Sequence, residues 1–401
     1  MLRFGITGDP TTVYLLHRFL RQLFGGRAIA ACNRKRGGLW ASAAVLLQLF
    51  CANGSAAANL TNIQTVFLVM MENHDWSLIK GDPECPFINN VLLPMASYAN
   101  NYRSPAGVHP SEANYLWLEA GTNFGIFDDF DHAIDSTNHL VTLLQGAGVS
   151  WRAYQESITG TNCPLYNSYP YAPRHCPMLF FNDIRTNGLL CMEQVRPYWE
   201  LAADLTNNAV ARYNYVTPNL TNDMHDFNPG FASARAAGDH WLSMEIPKIM
   251  NSAAYTNNGA IFLTWDEGTD FSDGPMGMIV LSPLAKGHGY HNSIPYTHSA
   301  TLRTFQEIFG VRPFLGDAQN SRSLADLFNV FSLDVFPGTE PGVVQLIVNG
   351  MDNEATVILE RSGNLLDWQP FATNIVAGTP PLSEQTVTNQ HGQFYRAVIS
   401  P

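Results

Sequence analysis

The sequence predicts an α/β domain with a mainly parallel sheet flanked by helices, followed by a small C-terminal all-β module. Three observations carry that expectation. Apolar runs of strand length recur at TVFLVMM (65–71), AIFLTW (260–265) and MIVL (278–281). Helix-length stretches lie between and after them, at 138–147, 238–252 and 299–310, which is the alternation of a parallel sheet covered on both faces. Beyond residue 342 the texture changes to short strand-like runs separated by Asn, Gly and Pro turns.

In chain order, residues 1–58 are expected to stand outside the fold. Arg34, Lys35 and Arg36 precede an apolar stretch, 39–51, that is too short to span a membrane comfortably. Ala56, Ala57 and Ala58 follow as a small-residue cleavage site, so the pattern is secretory. It begins late, which implies an upstream start codon or a long charged region. Phe50 before Cys51 argues against lipoprotein processing. The alternative is a helix that stays attached as an anchor. The expected location is secreted, periplasmic or cell-surface, with no stable membrane span after cleavage.

The whole chain carries a net charge of −12. Residues 1–58 hold seven basic side chains and one acid, which leaves fifteen basic against thirty-three acidic residues in the remainder, a net of −18. So acidic a surface repels polyanions, which excludes nucleic acid as a partner by long-range attraction. A phosphate must be bound locally, by a metal or by aimed N–H groups. Four cysteines follow the cleavage site, Cys85, Cys163, Cys176 and Cys191. An even number in an exported chain implies disulfides, and the spacing leaves all three pairings open.

Residues 59–335 form the expected α/β domain, 336–342 (FPGTEPG) a linker, and 343–401 the β module, whose role is packing or attachment rather than chemistry.

The buried run at 66–71 stops abruptly at Glu72, Asn73 and His74, and the run at 260–265 stops at Asp266 and Glu267. Open α/β sheets place ligands at the carboxyl ends of their strands. Four oxygen-bearing side chains on two strand ends suit a hard or borderline divalent cation. Ser111, in HPSEANYLWLEAG, falls at the expected N-cap of a short apolar helix with a glycine stop. Capping is its simplest role. The same position also faces the first-turn N–H groups and the positive end of the helix dipole, where an anion binds. Asp223, His225 and Asp226 sit together in NLTNDMHD, and His298 opens the final helix.

The five segments VFLVMMENH, HPSEANYLWLEAG, VTPNLTNDMHD, LTWDEG and THSATLRTFQEIFG occur in the order and near the spacing of the bacterial and fungal phosphoesterase family. That family includes secreted acid phosphatases and phospholipases C, within the alkaline phosphatase superfamily. The resemblance covers about residues 62–330, and the ENH and HPSxxNYL forms look like the acid phosphatase branch. It implies an alkaline phosphatase-like fold and a phosphate ester substrate. It implies Ser111 as nucleophile and metal ligand, with Glu72, Asn73, Asp266 and Glu267 as the other ligands of one divalent metal ion of unknown identity. Asn114 would hold a phosphoryl oxygen; His225 and His298 would line the phosphate pocket, with Asp223 nearby. His175, in RHCP, stands where relatives have a KHNP-like or KHDP-like segment, and Cys176 departs from that pattern. Ala113 replaces a common proline, and His74 is implied to be a neighbour of the ligands. The implied activity is a secreted phosphomonoesterase working through a phosphoseryl intermediate. The alternatives are a phospholipase C or other phosphodiesterase, and a catalytically inert surface-attached binding protein.

Overall fold

The protein is described here as a computed structural model covering residues 59–329 and, beyond them, segments 332–337, 343–349, 355–363, 366–376, 385–388 and 394–400. The expected export segment, 1–58, and residues 338–342 of the expected linker lie outside the described residues.

Ten strands belong to the first region: β1 (Thr65–Met71), β2 (Ser97–Ala99), β3 (Tyr102–Arg103), β4 (Trp151–Gln155), β5 (Val195–Pro197), β6 (Tyr213–Thr217), β7 (Gly259–Trp265), β8 (Met278–Leu281), β9 (His291–Asn292) and β10 (Tyr296–Thr297). Eight of them make one sheet in the order β5-β4-β6-β1-β7-β8-β2-β9, while β3 and β10 pair apart. Neighbours from β5 to β7 are parallel and β8 is antiparallel to both β7 and β2, so the sheet is mainly parallel. Strand β1 sits in the middle, between β6 and β7, which is why Val66 through Met71 are apolar without alternation and all are buried.

Four helices matter for the site: α1 (Ser111–Ala120), α2 (Leu140–Gly146), α3 (Ala234–Met250) and α4 (His298–Phe309). Side chains alternate across a strand, and β7 uses both sides. Phe262 packs edge-on against Phe305 of α4, with ring centres 5.0 Å apart. Trp265, three residues on, faces the other side, where its indole N–H points at the Met224 sulfur, 3.4 Å away. On that side α3 comes close through Gly238, where an added Cβ would lie 2.3 Å from Met224 and 3.0 Å from Met71. Helix α3 begins four residues before the expected start, because Ser233 caps it by accepting from the Ala236 N–H at 3.1 Å. The expected glycine stops are present: α1 ends at Gly121 (φ +70) and α4 at Gly310 (φ +67).

The C-terminal region is all-β among its described residues. It forms two three-stranded antiparallel sheets, from β11 (Ser332–Pro337), β12 (Val343–Asn349) and β15 (Gln385–Thr388), and from β13 (Ala355–Ser362), β14 (Gln369–Val376) and β16 (Phe394–Ser400). Leu346 and Val348, and Val357 and Leu359, are its buried core, each pair spaced by two as a half-buried strand requires. Phe336 and Pro337, expected to open the linker, instead finish the edge strand β11. An edge position tolerates a proline because its missing N–H faces no partner strand.

Candidate active site

The two acidic strand ends lie side by side. Met71 is in register with Trp265, so Glu72 and Asp266 follow on adjacent strands. The Asp266 N–H donates to the Met71 carbonyl at 3.1 Å, and the Glu72 N–H to the Asp223 carbonyl at 2.8 Å. The ends of β1 and β7 and the loop that follows β6 therefore meet in one place. Asn73 turns the chain there with φ +36, a left-handed conformation that asparagine tolerates better than most residues. Its backbone N–H donates to Asp266 Oδ1 (3.0 Å) and its amide to Glu267 Oε1 (3.1 Å).

Helix α1 delivers Ser111 onto this cluster. The helix starts one residue earlier than expected: Pro110 occupies the capping position, and Ser111 is the first helical residue, with no capping bond from any side chain. The expected cap role is therefore corrected. The hydroxyl is free of the backbone and donates to Glu72 Oε2 at 3.2 Å, with Asn73 Oδ1 at 3.5 Å. Tyr115, one turn further on, hydrogen-bonds Glu72 Oε1 and stacks on His175 with ring centres 5.1 Å apart.

Burial raises the cost of ionising these carboxyls. Burial, then the nearby Asp266 and Asp223, pushes Glu72 well above the usual carboxylate range. Asp223 is raised well above its ordinary value by burial and by Asp266. Burial raises Asp266 to about 6, and burial with Asp266 beside it raises Glu267 to about 9. Asp266 Oδ2, Asp223 Oδ2, Asn114 Oδ1 and His175 Nε2 are buried with no hydrogen-bond partner. Buried polar groups in folded proteins are nearly always paired, so these atoms call for water, an ion or a ligand. Among the described residues, no group of three or more His, Cys, Asp or Glu is arranged to hold a metal ion. A cation here must draw on the Ser111 and Asn73 oxygens as well as on Glu72 and Asp266, an all-oxygen set that fits a hard divalent ion.

The other expected residues take different places. Both Glu267 oxygens are engaged: Oε1 by Asn73, and Oε2 by His109 Nδ1 (2.5 Å) and Asn114 (3.1 Å). Asn114 spends its second amide hydrogen on the Val108 carbonyl at 2.8 Å, so both are engaged within the protein. His298 is engaged as well. Its Nε2 donates to the Asp266 carbonyl at 2.5 Å and its Nδ1 accepts from the Tyr102 hydroxyl at 2.9 Å, so it braces the strand end from behind. Burial lowers its pKa to about 4, which keeps it neutral. His175 is 1% exposed, wedged between Glu72 Oε1 (3.3 Å) and Asp223 Oδ2 (3.5 Å). His225 lies at the rim, one third exposed, with Nδ1 2.6 Å from Asp226 and its N–H donating to Asp223 Oδ1 at 2.9 Å. Sequence reasoning passed over Tyr115 and His109. Both lie in HPSEANYL, and their signal was spacing: Tyr115 is four residues, one helical turn, after Ser111.

One disulfide, Cys163–Cys191, is present, and Cys85 and Cys176 are free and buried. Among the described residues no helix is long and apolar enough to cross a membrane.

Residues 97–312 match the Phosphoesterase family. The chain is 28% identical over 276 residues to a phosphatidylinositol-3-phosphatase of Mycobacterium tuberculosis, covering 69% of this chain and 86% of that protein. It is 27% identical over 266 residues to an acid phosphatase of Aspergillus fumigatus, covering 62% of this chain and 55% of that protein. Against the fungal and yeast acid phosphatases it matches, the chain spans 40% to 58% of their length. A solved structure from Vibrio parahaemolyticus, described as a protein in the alkaline phosphatase superfamily, aligns at a TM-score of 0.44 and 8% identity, covering 78% of this chain and 83% of that one. The matched family segment spans more than half of the chain and contains Ser111, Asp223, His225, Asp266 and Glu267: this protein belongs to the Phosphoesterase family of phosphoric ester hydrolases.

Proposed function

We propose that the protein is an exported, metal-dependent phosphomonoesterase of acid phosphatase type that uses Ser111 as its nucleophile. One observation carries the reading: the Ser111 hydroxyl, free of any capping duty, stands 3.2 Å from Glu72 Oε2 at the junction of two acidic strand ends. The relatives whose names state an activity are phosphatases, which favours a monoester over the phospholipase C alternative. Export is supported by the Cys163–Cys191 disulfide, a bond that persists in oxidising compartments.

In this mechanism Ser111 Oγ, its proton released to solvent, attacks phosphorus as the bond to the leaving alcohol breaks in line. The phosphoryl oxygens come to lie at the positive end of the α1 dipole. His225, at the rim, delivers the proton to the leaving oxygen. Water then cleaves the phosphoseryl bond and regenerates the hydroxyl. Glu72, Asn73, Ser111 and Asp266, backed by Glu267, are the proposed ligands. A divalent cation held by them supplies charge neutralisation and a lowered serine pKa.

Ser111→Ala is expected to cut kcat/KM on a chromogenic monoester at least ~1,000-fold while the thermal midpoint moves by less than ~3 °C. Full activity in that variant overturns the mechanism. Preferential turnover of the matching diester or of phosphatidylcholine would move the assignment to the phosphodiesterase alternative.

A further inference from the structure

We propose that Arg174 is the cation that takes up the second negative charge of a phosphomonoester, so that the site selects monoester dianions over diester monoanions; the proposal rests on the phosphomonoesterase reading above. Arg174 lies in the short turn Pro173–His175, next to the histidine wedged between Glu72 and Asp223. Its nearest charged partner is Asp129, with Nε to Oδ2 at 4.0 Å, the outer limit of an ion pair. Asp129 Oδ1 in turn accepts from the Glu112 N–H at 3.0 Å. Glu112 follows Ser111, so this chain of contacts holds the guanidinium beside the first turn of α1, where the nucleophile sits.

The guanidinium is uncommitted. A planar guanidinium carries five N–H donors, and Arg174 makes no hydrogen bond among the described contacts. Its Nε is buried without a partner, while the side chain stays 21% exposed. Neighbouring arginines differ. Arg185 grips Asp131 with two bonds at 2.8 and 3.0 Å, and Arg196 pairs through two nitrogens with Glu200. An arginine left open beside a reactive serine suits bidentate recognition of phosphate.

The charge balance of the site points the same way. Glu72, Asp223 and Asp266 are buried together, and when ionised they repel an incoming anion. A dianion meets more of that repulsion than a monoanion, and one divalent cation cannot offset all of it.

The test uses the whole chain, with inorganic phosphate, p-nitrophenyl phosphate and bis(p-nitrophenyl) phosphate as probes. Arg174→Gln is expected to weaken phosphate binding, read by inhibition and by calorimetry, by ~10-fold or more. Monoester KM should rise by a similar factor, while diester kcat/KM changes less than ~3-fold. Asp129→Asn keeps the acceptor for the Glu112 N–H but releases the guanidinium, so phosphate should bind ~2- to 5-fold tighter. Arg174→Lys, which keeps the charge and loses the fork, should fall between the wild type and the glutamine variant. Unchanged phosphate affinity in Arg174→Gln, an equal loss on monoester and diester, or weaker phosphate binding in Asp129→Asn overturns the proposal. Should the glutamine variant not fold, the lysine and Asp129→Asn variants still decide it. A wild type that binds phosphate but turns over no monoester would sink the parent reading and leave this one standing on the calorimetry.

Discussion

Two buried histidines in this protein stand between two carboxylates each, and they are built to opposite ends. His139 has Glu119 at 2.9 Å from Nδ1 and Asp183 at 3.1 Å from Nε2, and its ring stacks on Phe181 at 3.8 Å. Thr142 adds a hydroxyl to the same knot, and the Val141 N–H fills Glu119. Burial alone lowers the pKa of His139, but the hydrogen bonds it donates to Asp183 and Glu119 more than offset this, and the net shift is upward. His175 has Glu72 and Asp223 at 3.3 and 3.5 Å, yet neither contact is aligned as a hydrogen bond, and His175 Nε2 and Asp223 Oδ2 are left without partners. Burial, with the positive charge of Arg174 next, drives its pKa well down. A buried imidazolium needs aligned acceptors, and His175 has none, so the ring is held neutral. The satisfied histidine is a structural knot between α1, α2 and the segment around Asp183. The unsatisfied one belongs to a set of groups held apart for something that binds.

The contrast breaks most visibly at His139. His139→Ala leaves Glu119 and Asp183 buried without their shared donor and is expected to cost about 3–5 kcal/mol of unfolding free energy. A loss below about 1 kcal/mol in denaturant titration would mean the knot is not what it looks like. Next in size is the effect of a divalent cation on the other side. At a hundredfold excess over its Kd it should add about 2.7 kcal/mol of stability, and a chelator should remove it. A thermal midpoint insensitive to both would show that the open carboxyls do not bind metal. His175→Gln is expected to lower monoester kcat/KM by ~10- to 100-fold and to change stability by less than about 1 kcal/mol, the reverse of the His139 pattern. The smallest effect is on pH. The folded pKa of His139 is raised above 6.5, so the stability it contributes is fully present below that value and is lost as pH rises through the folded pKa. A stability profile from pH 5 to 9 should therefore decline in that window for the wild type and lose this component in His139→Gln.

Much of the fold was legible. The runs at 65–71 and 260–265 are buried on both faces because they are the middle of the sheet, and continuous apolarity is the trace that position leaves. The glycine stops of α1 and α4 were readable because a left-handed residue must end each helix. Glu72, Asn73, Asp266 and Glu267 could be paired in advance, since parallel strand ends come together. The orientation of β8, the β11 strand reaching through Pro337, and the exact start of α1 were not readable, because each depends on pairing with another segment that local pattern does not show.

What the sequence by itself determined is therefore the set of chemical groups and the elements that carry them. Hydrophobic periodicity and strand-end polarity are local, so they survive in the linear chain. Tertiary structure alone decided which groups are spent and which are free. His298 and Asn114 look available in the sequence, but Asp266, 32 residues from His298, and Glu267, 153 residues from Asn114, use up their hydrogens. Ser111 looks like a cap and is not one. A side chain's chemistry depends on whether its hydrogen bonds are already made, and those bonds are formed between residues that only folding brings together.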